Sequence, residues 1–473
     1  MSSSSSMTPA GAHILIFPYP AQGHMLPILD FAHQLSLHDF TITIVVTPKN
    51  LPSLNPLLTK SPSIKTLVLP FPGHPSIPQG IENAQDLSPE LIPTMMLTMT
   101  KLHDPLLRWF KSHPSPPVAI ISDFFLGWTY HLACELNIPR IVFSTSCAMS
   151  LSIIDLLHTG IPNIKDDPIC FHQVPNSPTF PRWHVPSVDL FTEKKTEVVP
   201  HIHANVDSWG VVFNSFTELN ITEFGQSDLL FLMGKKLNSL RREAGQVQST
   251  EKILSWLDSC PDDSVVYICF GSQAALPNNQ MEALAAGLEC SKVRFLWCVK
   301  EPGEGLVKGE YGVLPAGFEE RTAGRGMVVR GWVPQLLILR HRSVGSFMTH
   351  CGWNSIVEGL TSGVVMLAWP MMAEQFFNVK LIVDQLKVAI RVCEGNELVP
   401  NSVQLGELVV ESMSEERRLQ AKKLSEAANE AVKQGGTSHK DLQSLVKDLR
   451  GLINEREVKK ETPLIFRILQ QLL

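Results

Sequence analysis

The chain has 473 residues, of which 44% are hydrophobic and 18% are charged, so it is too long for one compact core and is expected to form two domains. Its formal net charge of −6 argues against a nucleic-acid-binding protein, which would carry a basic face. The 9 cysteines show neither CxxC pairs nor even spacing, which is typical of reduced thiols in a cytosolic protein.

The first residues, 1–11, contain a serine run but no basic segment, and only a short apolar run follows them. They are therefore expected to form a disordered tail and not a signal peptide. No stretch reaches the roughly 18 uninterrupted apolar residues of a membrane-spanning helix. The expectation is a soluble, cytoplasmic enzyme that has no membrane partner.

The chain opens with the pattern of a βαβ unit. His13–Phe17 is predicted to be a buried strand, Met25–Leu37 an amphipathic helix and Thr41–Thr47 the next strand. The loop 18–24 lies between the first strand and the helix, at the carboxyl end of that strand. In open α/β sheets, ligands bind at this edge.

His24 closes that loop, and Asp123 follows a second predicted strand, Val118–Ser122. Both side chains are therefore expected at the same edge of the sheet. A histidine that is oriented and made more basic by a carboxylate is a standard general-base pair. The alternative for His24, judged by position alone, is a solvated residue at a helix start.

The rest of the first half contains helical periodicity in Leu87–Trp109 and Phe125–Leu136, and a short strand at Ile141–Phe143, with Thr145 after it. The segment Pro162–Lys195 is rich in proline, aspartate and aromatic residues and has no clean period. It is predicted to form loops around a substrate pocket.

Trp209–Ser215 is predicted to be the last strand of a first domain that covers residues 12–220. Residues 221–252 show no further strand pattern. They carry the basic patch Lys235, Lys236, Arg241 and Arg242, for which a solvated linker face is the favoured interpretation. This segment is an atypical linker between the two domains.

The second domain is predicted to cover residues 253–438. It opens with the helix Ile253–Asp258, the strand Val265–Phe270, a turn containing Ser272, and the helix Gln280–Glu289. A strand that leads through a glycine turn into a helix can approach a phosphate, although any βα turn may hold such residues. Further strands are predicted at Val293–Val299, Gly326–Arg330, Val344–Thr349, Gly363–Leu367 and Val388–Val392. Alternating strands and helices in both halves indicate two doubly wound α/β domains.

The stretch 332–375 is the densest in candidate functional residues. A strand ends at Thr349, a polar turn covers 350–355, and a helix is predicted to open on Ser355. Such a turn gathers free backbone N–H groups and the positive end of a helix dipole. It predicts a seat for a diphosphate, although Gly-Trp-Asn-Ser can also be an ordinary helix cap.

The residues around this turn suggest what else is bound. Trp332 offers an indole face for stacking a base, although a lone tryptophan is more often a core residue. Glu358 is expected in the first turn of the helix, where a carboxylate can bind a ribose diol. Glu374 and Gln375 provide a carboxylate and an amide suited to sugar hydroxyl groups.

The stretch resembles, in register, the donor-binding signature of the plant secondary-product UDP-glycosyltransferases (family 1 glycosyltransferases), including HCGWNS and WPxxAEQxxN. PxQGHxxP in residues 20–27 and FGS in residues 270–272 also match this family. The resemblance implies the α/β fold of GT-B type, in which two doubly wound Rossmann-like domains face a cleft. It also implies a helix 439–452 that crosses back to the first domain, while a tail 453–473 is atypical.

The resemblance implies roles for individual residues. His24 is the catalytic base, in contact with the acceptor, Asp123 is its partner, and Ala373 lies beside the acceptor. The implied donor-binding residues are Thr145, Ser272, Trp332, Val333, Gln335, His350, Gly352, Trp353, Asn354, Ser355, Glu358, Glu374 and Gln375. No metal is implied, no cofactor is needed because the UDP-sugar is a co-substrate, and a monomer without a nucleic-acid partner is expected.

The implied reaction is inverting transfer of a hexose, expected to be glucose, from its UDP derivative to a small phenolic acceptor such as a flavonol. In the family, glutamine at the position of Gln375 accompanies glucose use. An amide can offer both a donor and an acceptor to neighbouring equatorial hydroxyl groups. A nucleotide-sugar epimerase is one alternative, but it needs a glycine-rich turn after the first strand and a Tyr-x-x-x-Lys pair, and residues 17–24 offer neither. A catalytically silent UDP-sugar-binding homologue is the second alternative, suggested by the unusual linker.

Overall fold

A computed structural model describes residues 12–159, 163, 165–185, 195–219, 229–231, 247–272, 274–300 and 309–452. The predicted N-terminal tail, most of the atypical linker and the C-terminal tail lie outside these residues. No helix among the described ranges has the length and apolar character needed to cross a membrane.

The first domain is built on a seven-stranded parallel sheet, accompanied by a two-stranded antiparallel ribbon. Its strands are β1 (His13–Phe17), β2 (Thr41–Val46), β3 (Lys65–Val68), β4 (Ala119–Asp123), β5 (Arg140–Ser144), β6 (Ile169–Cys170), β7 (Thr179–Phe180), β8 (Gly210–Asn214) and β9 (Leu229–Phe231). The sheet has the order β3-β2-β1-β4-β5-β8-β9, and β6 pairs with β7.

The helices of the first domain lie between these strands. They are α1 (Gln22–Ser36), α2 (Asn55–Lys60), α3 (Ile92–Met99), α4 (His103–Ser112), α5 (Thr129–Leu136), α6 (Ala148–Thr159) and α7 (Lys195–His203). Short 3-10 segments cover Pro48–Leu54, Ala84–Asp86, Pro89–Leu91, Thr100–Leu102, Phe124–Leu126, Arg182–His184 and Thr217–Leu219.

Two predictions about the first domain are wrong. The predicted helix 87–109 is divided, since Pro105 favours a new helix start and disfavours continuation from the preceding turn. The strand β8 is not the last of its sheet, because β9 pairs beside it in parallel. Three residues of strand, in the segment predicted to have none, are too short to show a period.

The second domain has a six-stranded parallel sheet in the order β12-β11-β10-β13-β14-β15. These strands are β10 (Val265–Cys269), β11 (Arg294–Val299), β12 (Gly326–Arg330), β13 (Val344–Thr349), β14 (Val365–Ala368) and β15 (Ala389–Arg391). The helices are α8 (Val247–Asp258), α9 (Asn278–Ser291), α10 (Phe318–Arg321), α11 (Gln335–Leu339), α12 (Trp353–Ser362), α13 (Gln375–Val379), α14 (Ser402–Ser412), α15 (Glu415–Ala431) and α16 (Thr437–Gly451), with a π-helical segment at Lys380–Gln385.

Helix α16 returns the end of the described chain to the first domain. Its apolar residues Leu445 and Leu449 belong to one hydrophobic cluster with Ile14 and Phe31 of the first domain. Arg450 of the same helix donates a hydrogen bond to the carbonyl oxygen of His38 at 3.0 Å. A second cluster contains residues of both sheets, so the apolar core continues from one domain to the other.

Both sheets have a point where the strand order reverses. In the first sheet β1 lies beside β4, and in the second sheet β10 lies beside β13. The loops that follow two such strands diverge and leave a crevice at the carboxyl edge of the sheet. His24 and Asp123 lie at the crevice of the first domain, and Ser272 and His350 lie at the crevice of the second.

Candidate active site

His24 and Asp123 are in direct contact. The Nδ1 atom of His24 lies 2.8 Å from Oδ2 of Asp123, whose side chain is fully buried. The other carboxylate oxygen accepts a hydrogen bond from the backbone N–H of Phe125 at 2.9 Å. Since Nδ1 is held by Asp123, the other ring nitrogen, Nε2, is the atom that can exchange a proton with a substrate.

The charge around His24 makes it more basic. Burial by itself lowers the pKa of His24, but the negative charge and hydrogen bond of Asp123, helped by the charge of Glu374, outweigh burial and raise it. Glu374 belongs to the second domain, and burial raises its own pKa. The hydroxyl oxygen of Thr145 lies 3.4 Å from Nδ1 of His24, so this predicted donor-binding residue is located beside the catalytic pair.

Aromatic rings surround the His24 imidazole. The ring centroids of Tyr19, Phe124 and Phe125 lie 5.3, 5.6 and 4.8 Å from that of His24. These rings exclude water from one side of the base and provide an apolar surface of the kind that aromatic acceptors prefer. They follow the ends of β1 and β4, and sequence analysis did not identify them because aromatic residues there are equally typical of a core.

A buried arginine supports the strand end that carries Asp123. Arg140 is only 1% exposed, and burial lowers its pKa to about 9. Its guanidinium group donates hydrogen bonds to Ser122 Oγ, Asn205 Oδ1, Ser208 Oγ and the carbonyl oxygen of Asp123 at 2.7–3.1 Å. The contact with the Asp123 carbonyl oxygen helps to hold the strand end that carries this aspartate in place.

The turn after β13 has the geometry of an anion site. Helix α12 begins at Trp353, two residues earlier than predicted, and its N-cap Gly352 has no side chain to occupy the first N–H groups. These groups and the helix dipole are therefore available to a phosphate. The left-handed φ of 64° at Cys351 makes the turn sharp.

Two glycines fit closely around His350. A Cβ atom added to Gly271 would lie 2.5 Å from the imidazole Cε1, and one added to Gly352 would lie 2.5 Å from Nε2. The buried Nδ1 atom of His350 has no hydrogen-bond partner among the described residues. Burial lowers the pKa of His350 to about 4, so the ring is neutral and can donate one N–H to a phosphate oxygen.

A glutamine organises the residues next to this turn. Nε2 of Gln335 lies 2.9 Å both from Oγ of Ser355 and from Oε2 of Glu358, and Tyr267 donates to its Oε1 at 3.4 Å. The helix starts at residue 353, so Glu358 lies in its second turn. The prediction that Glu358 lies in the first turn is therefore wrong. The network holds the Glu358 carboxylate in a fixed position, as recognition of a ribose diol requires.

The remaining residues of the nucleotide side lie on turns. Trp332 is half-buried and follows Gly331, whose φ is 94°, while Val333 is buried. Ser272 is exposed, and its carbonyl oxygen accepts a hydrogen bond from Lys300. The structure thus leaves the Trp332 ring partly open, as a stacking platform must be.

Two predicted donor-binding side chains are engaged by the first domain instead. Asn354 Nδ2 donates to the carbonyl oxygen of Gly23 at 2.5 Å, and Trp353 Nε1 donates to that of Asn214 at 2.9 Å. The indole ring of Trp353 is buried. These side chains tie the turn before α12 to the loop that carries His24 and to the end of β8.

A second set of contacts across the domains was missed by sequence analysis. Ser150 Oγ donates to Asn378 Oδ1 at 2.9 Å, and Asn378 Nδ2 donates to the carbonyl oxygen of Cys351 at 3.0 Å. His184 Nε2 lies 3.0 Å from Oε2 of Glu394. Asn378 ends the motif WPxxAEQxxN, which was the available signal for its importance.

The sugar end of the site departs from its predicted chemistry. The Oε1 atom of Gln375 accepts hydrogen bonds from the backbone N–H groups of Met371 and Met372 at 2.9 and 3.0 Å. The prediction that this amide offers both a donor and an acceptor is therefore wrong, because both lone pairs of the oxygen are used. Gln375 retains its N–H donors, while Ala373, with a left-handed φ of 53°, holds the preceding turn.

Comparison with known proteins agrees with this geometry. A family model described as "UDP-glucoronosyl and UDP-glucosyl transferase" matches residues 245–396. UDP-glycosyltransferase 89B2 of Stevia rebaudiana is 49% identical over 93% of this chain and 98% of its own length. Flavonol 3-O-glucosyltransferase UGT89B1 of Arabidopsis thaliana is 44% identical over 94% of this chain and 97% of its own.

The fold also matches that of a related protein whose structure has been solved. The crystal structure of Arabidopsis thaliana UGT89C1 complexed with UDP-L-rhamnose superimposes with a TM-score of 0.75 at 37% identity, covering 93% of this chain and 99% of that one. The same protein has also been crystallised with quercetin. The two facing doubly wound domains confirm the predicted GT-B fold. With two such domains, a histidine–aspartate pair opposite a glycine-lined phosphate turn, and relatives matched over nearly their whole length, the chain belongs to the plant family 1 UDP-glycosyltransferases and is a glycosyltransferase.

Proposed function

We propose that this enzyme transfers glucose from UDP-glucose to a hydroxyl group of a flavonol or a related phenolic, with inversion at the anomeric carbon. The observation that carries the proposal is the 2.8 Å contact between His24 and Asp123, held against the diphosphate turn by the Asn354 contact with Gly23. In this proposal the base belongs to the first domain and the leaving-group site to the second, and the Asn354 contact supports the view that they face one cleft.

The chemistry follows from this arrangement. Nε2 of His24 removes the proton of the acceptor hydroxyl, and Asp123 stabilises the imidazolium that forms. The acceptor oxygen attacks the anomeric carbon while its bond to the diphosphate breaks, so no covalent intermediate is needed. His350 and the first N–H groups of α12 stabilise the charge on the departing UDP.

The acceptor class is supported by the relatives and by the aromatic rings around His24. One relative is named a flavonol 3-O-glucosyltransferase, and the structurally similar UGT89C1 was crystallised with quercetin. A flat phenolic acceptor packs well against aromatic rings such as Phe124 and Phe125. The contact between His24 and Asp123 argues against a silent homologue, an alternative suggested by a segment that lies mostly outside the described residues.

The donor sugar is the finer part of the proposal. Glu374 can accept from two sugar hydroxyl groups, and the N–H groups of Gln375 can donate to a third oxygen. An axial hydroxyl, as in galactose, leaves one of these partners unpaired, which costs about 1–3 kcal/mol. We therefore expect UDP-glucose to be preferred over UDP-galactose by roughly ten- to a hundredfold in kcat/KM.

A competition experiment tests the proposal. UDP-glucose, UDP-galactose and UDP-rhamnose are supplied at equal concentration with quercetin. The products are separated by chromatography and identified against the authentic glucoside, galactoside and rhamnoside, because the first two have the same mass. The glucoside is expected in large excess, and His24→Ala is expected to abolish all products while UDP binding persists. An excess of galactoside or rhamnoside would overturn the donor, and no product from any phenolic acceptor would overturn the acceptor class.

A further inference from the structure

Two cysteines face each other on adjacent strands of the second sheet. Cys269 and Cys298 are register partners in the parallel pairing of β10 and β11. Partners on neighbouring strands project to the same face of a sheet, and strands lie about 4.8 Å apart. That spacing falls within the range of about 4.4–6.8 Å between the Cα atoms of disulfide-linked cysteines.

The pair lies beneath the nucleotide side of the site. Cys269 is the last residue of β10, directly before the turn that contains Gly271 and Ser272. Cys298 Sγ lies 3.1 Å from the carbonyl oxygen of Gly331, and Trp332 follows that residue. The two thiols therefore connect the base-stacking turn with the phosphate turn.

The surroundings favour one thiolate in this pair. Hydrogen bonding from Cys298 is the main reason why the pKa of Cys269 is lowered to about 7, with Tyr267 adding to the effect while burial and Glu358 oppose it. By contrast, burial raises the pKa of Cys147 to about 11. The thiolate is the reactive form of cysteine, so this pair is the more readily oxidised.

We propose that Cys269 and Cys298 form a redox modification site, a dithiol that hydroperoxides convert reversibly into a disulfide, with loss of affinity for the nucleotide. One thiolate attacks the O–O bond of the hydroperoxide and becomes a sulfenic acid, releasing an alcohol or, from hydrogen peroxide, water. The second thiol then displaces the sulfenic hydroxyl as water and closes the S–S bond. Two thiols lose two electrons and two protons, and the hydroperoxide is reduced.

Closing the bond changes both turns. The sulfur atoms must approach to about 2.05 Å, and Cys298 then loses the one S–H group for which Cys269 and the Gly331 carbonyl oxygen compete. On the other side, Gly271 is packed so closely on His350 that a Cβ atom would lie 2.5 Å from its ring. A small displacement of this turn is therefore transmitted to the residue that faces the diphosphate.

The test uses the full-length protein, reduced with dithiothreitol and then treated with hydrogen peroxide. Peptide mass mapping is expected to find the Cys269 and Cys298 peptides linked with loss of two hydrogen atoms. Calorimetry with UDP is expected to show a dissociation constant about tenfold higher, restored by dithiothreitol. Each of Cys298→Ser and Cys269→Ala should remove the response to peroxide, while Cys290→Ser, at an exposed cysteine of α9, should keep it.

Several outcomes would overturn the proposal. They are the absence of the linkage in oxidised wild type, an unchanged UDP affinity despite full linkage, and a loss of affinity that persists in Cys298→Ser. Neither readout requires a particular sugar or acceptor. Failure of this proposal is therefore distinguishable from failure of the proposed glucosyl transfer.

Discussion

Two opposing effects set the basicity of His24. Burial disfavours the imidazolium, and the neighbouring carboxylates favour it strongly enough to raise the pKa above the ordinary value of 6.5. Only the neutral imidazole can take a proton from the acceptor. The structure therefore predicts that activity is lost as the pH falls through this raised pKa.

Asp123→Asn should shift the acid limb of the pH profile, the range in which activity is lost as the pH falls. Removing the charge lowers the pKa of His24, so the acid limb of kcat/KM should shift to lower pH while the plateau falls, though less than in His24→Ala. Profiles measured between about pH 5 and 9 check this. Asp104→Asn is the control, because Asp104 also contacts a histidine, His103, but on the exposed surface. An unshifted limb in Asp123→Asn would contradict the assignment of His24.

The nucleotide residues make a separate prediction. His350→Ala and Glu358→Ala should each weaken UDP binding without any sugar, since each removes a hydrogen bond that involves a charged group, worth about 1.5–3 kcal/mol. The dissociation constant from calorimetry should rise about tenfold or more. Glu411→Ala, on the surface of α14, should bind UDP like wild type. Unchanged affinity in both site variants would remove them from the nucleotide site.

At the scale of residues, the sequence predicts where a residue lies in the fold better than it predicts which group its side chain contacts. His24 and Asp123 could be paired because each follows a strand whose carboxyl end lies at one edge of the sheet. Trp353 and Asn354 lie in the expected turn, but their partners, Asn214 and Gly23, belong to the other domain. Such long-range contacts leave no periodic signal, so the sequence alone does not show that these two side chains form hydrogen bonds with the other domain.

At the scale of elements, Arg140 ties three segments together. It sits at the start of β5 and contacts the end of β4 and the residues that follow α7. Burying a cation is costly, and the cost is offset here because the guanidinium donors reach four acceptors. The strand end that bears Asp123 therefore depends on a residue outside the active-site cleft.

Replacing this residue should destabilise the first domain. Arg140→Met keeps much of the length but leaves buried acceptors unpaired, at an expected cost of about 3 kcal/mol. The thermal midpoint should fall by about 6–12 °C in differential scanning calorimetry. Arg417→Met removes an exposed ion pair with Glu411, which contributes little, and should melt like wild type. Equal midpoints for both variants would show that the Arg140 contacts do not stabilise the fold.

Elements with a strong period were predictable, and short ones were not. The bounds of β1 and β13 agree with the predicted strands, because buried parallel strands form clear apolar runs. Strand β9 has only three residues and was missed. Its hydrogen bonds with β8 define it as a strand, because three residues are too few to show a period in the sequence.

At the scale of the whole molecule, the reaction requires the two domains in register. In the proposed reaction the base belongs to the first domain and the leaving group is held by the second, so an error of about an ångström between them is costly. Among the described residues, the polar contacts across the cleft include the Trp353 and Asn354 hydrogen bonds, the Ser150–Asn378 bond and the His184–Glu394 pair.

Ser150→Ala tests whether these contacts serve catalysis. The hydroxyl of Ser150 is buried and donates to Asn378, which in turn holds the carbonyl of Cys351 in the diphosphate turn. Removing it leaves Oδ1 of Asn378 with the weaker thiol donor of Cys147, at 3.6 Å, when the domains are together, at a cost of about 1–3 kcal/mol to the assembled state.

Turnover in Ser150→Ala should therefore fall about five- to a hundredfold. UDP affinity should stay within about twofold, because the residues predicted to bind the base, the ribose and the diphosphate belong to the second domain. Initial rates and calorimetry on the same preparation separate the two effects, with Ser112→Ala, at an exposed serine of α4, as the control. If UDP affinity fell as far as turnover, Ser150 would support the nucleotide site itself. If neither changed, the register of the domains would depend on the remaining contacts.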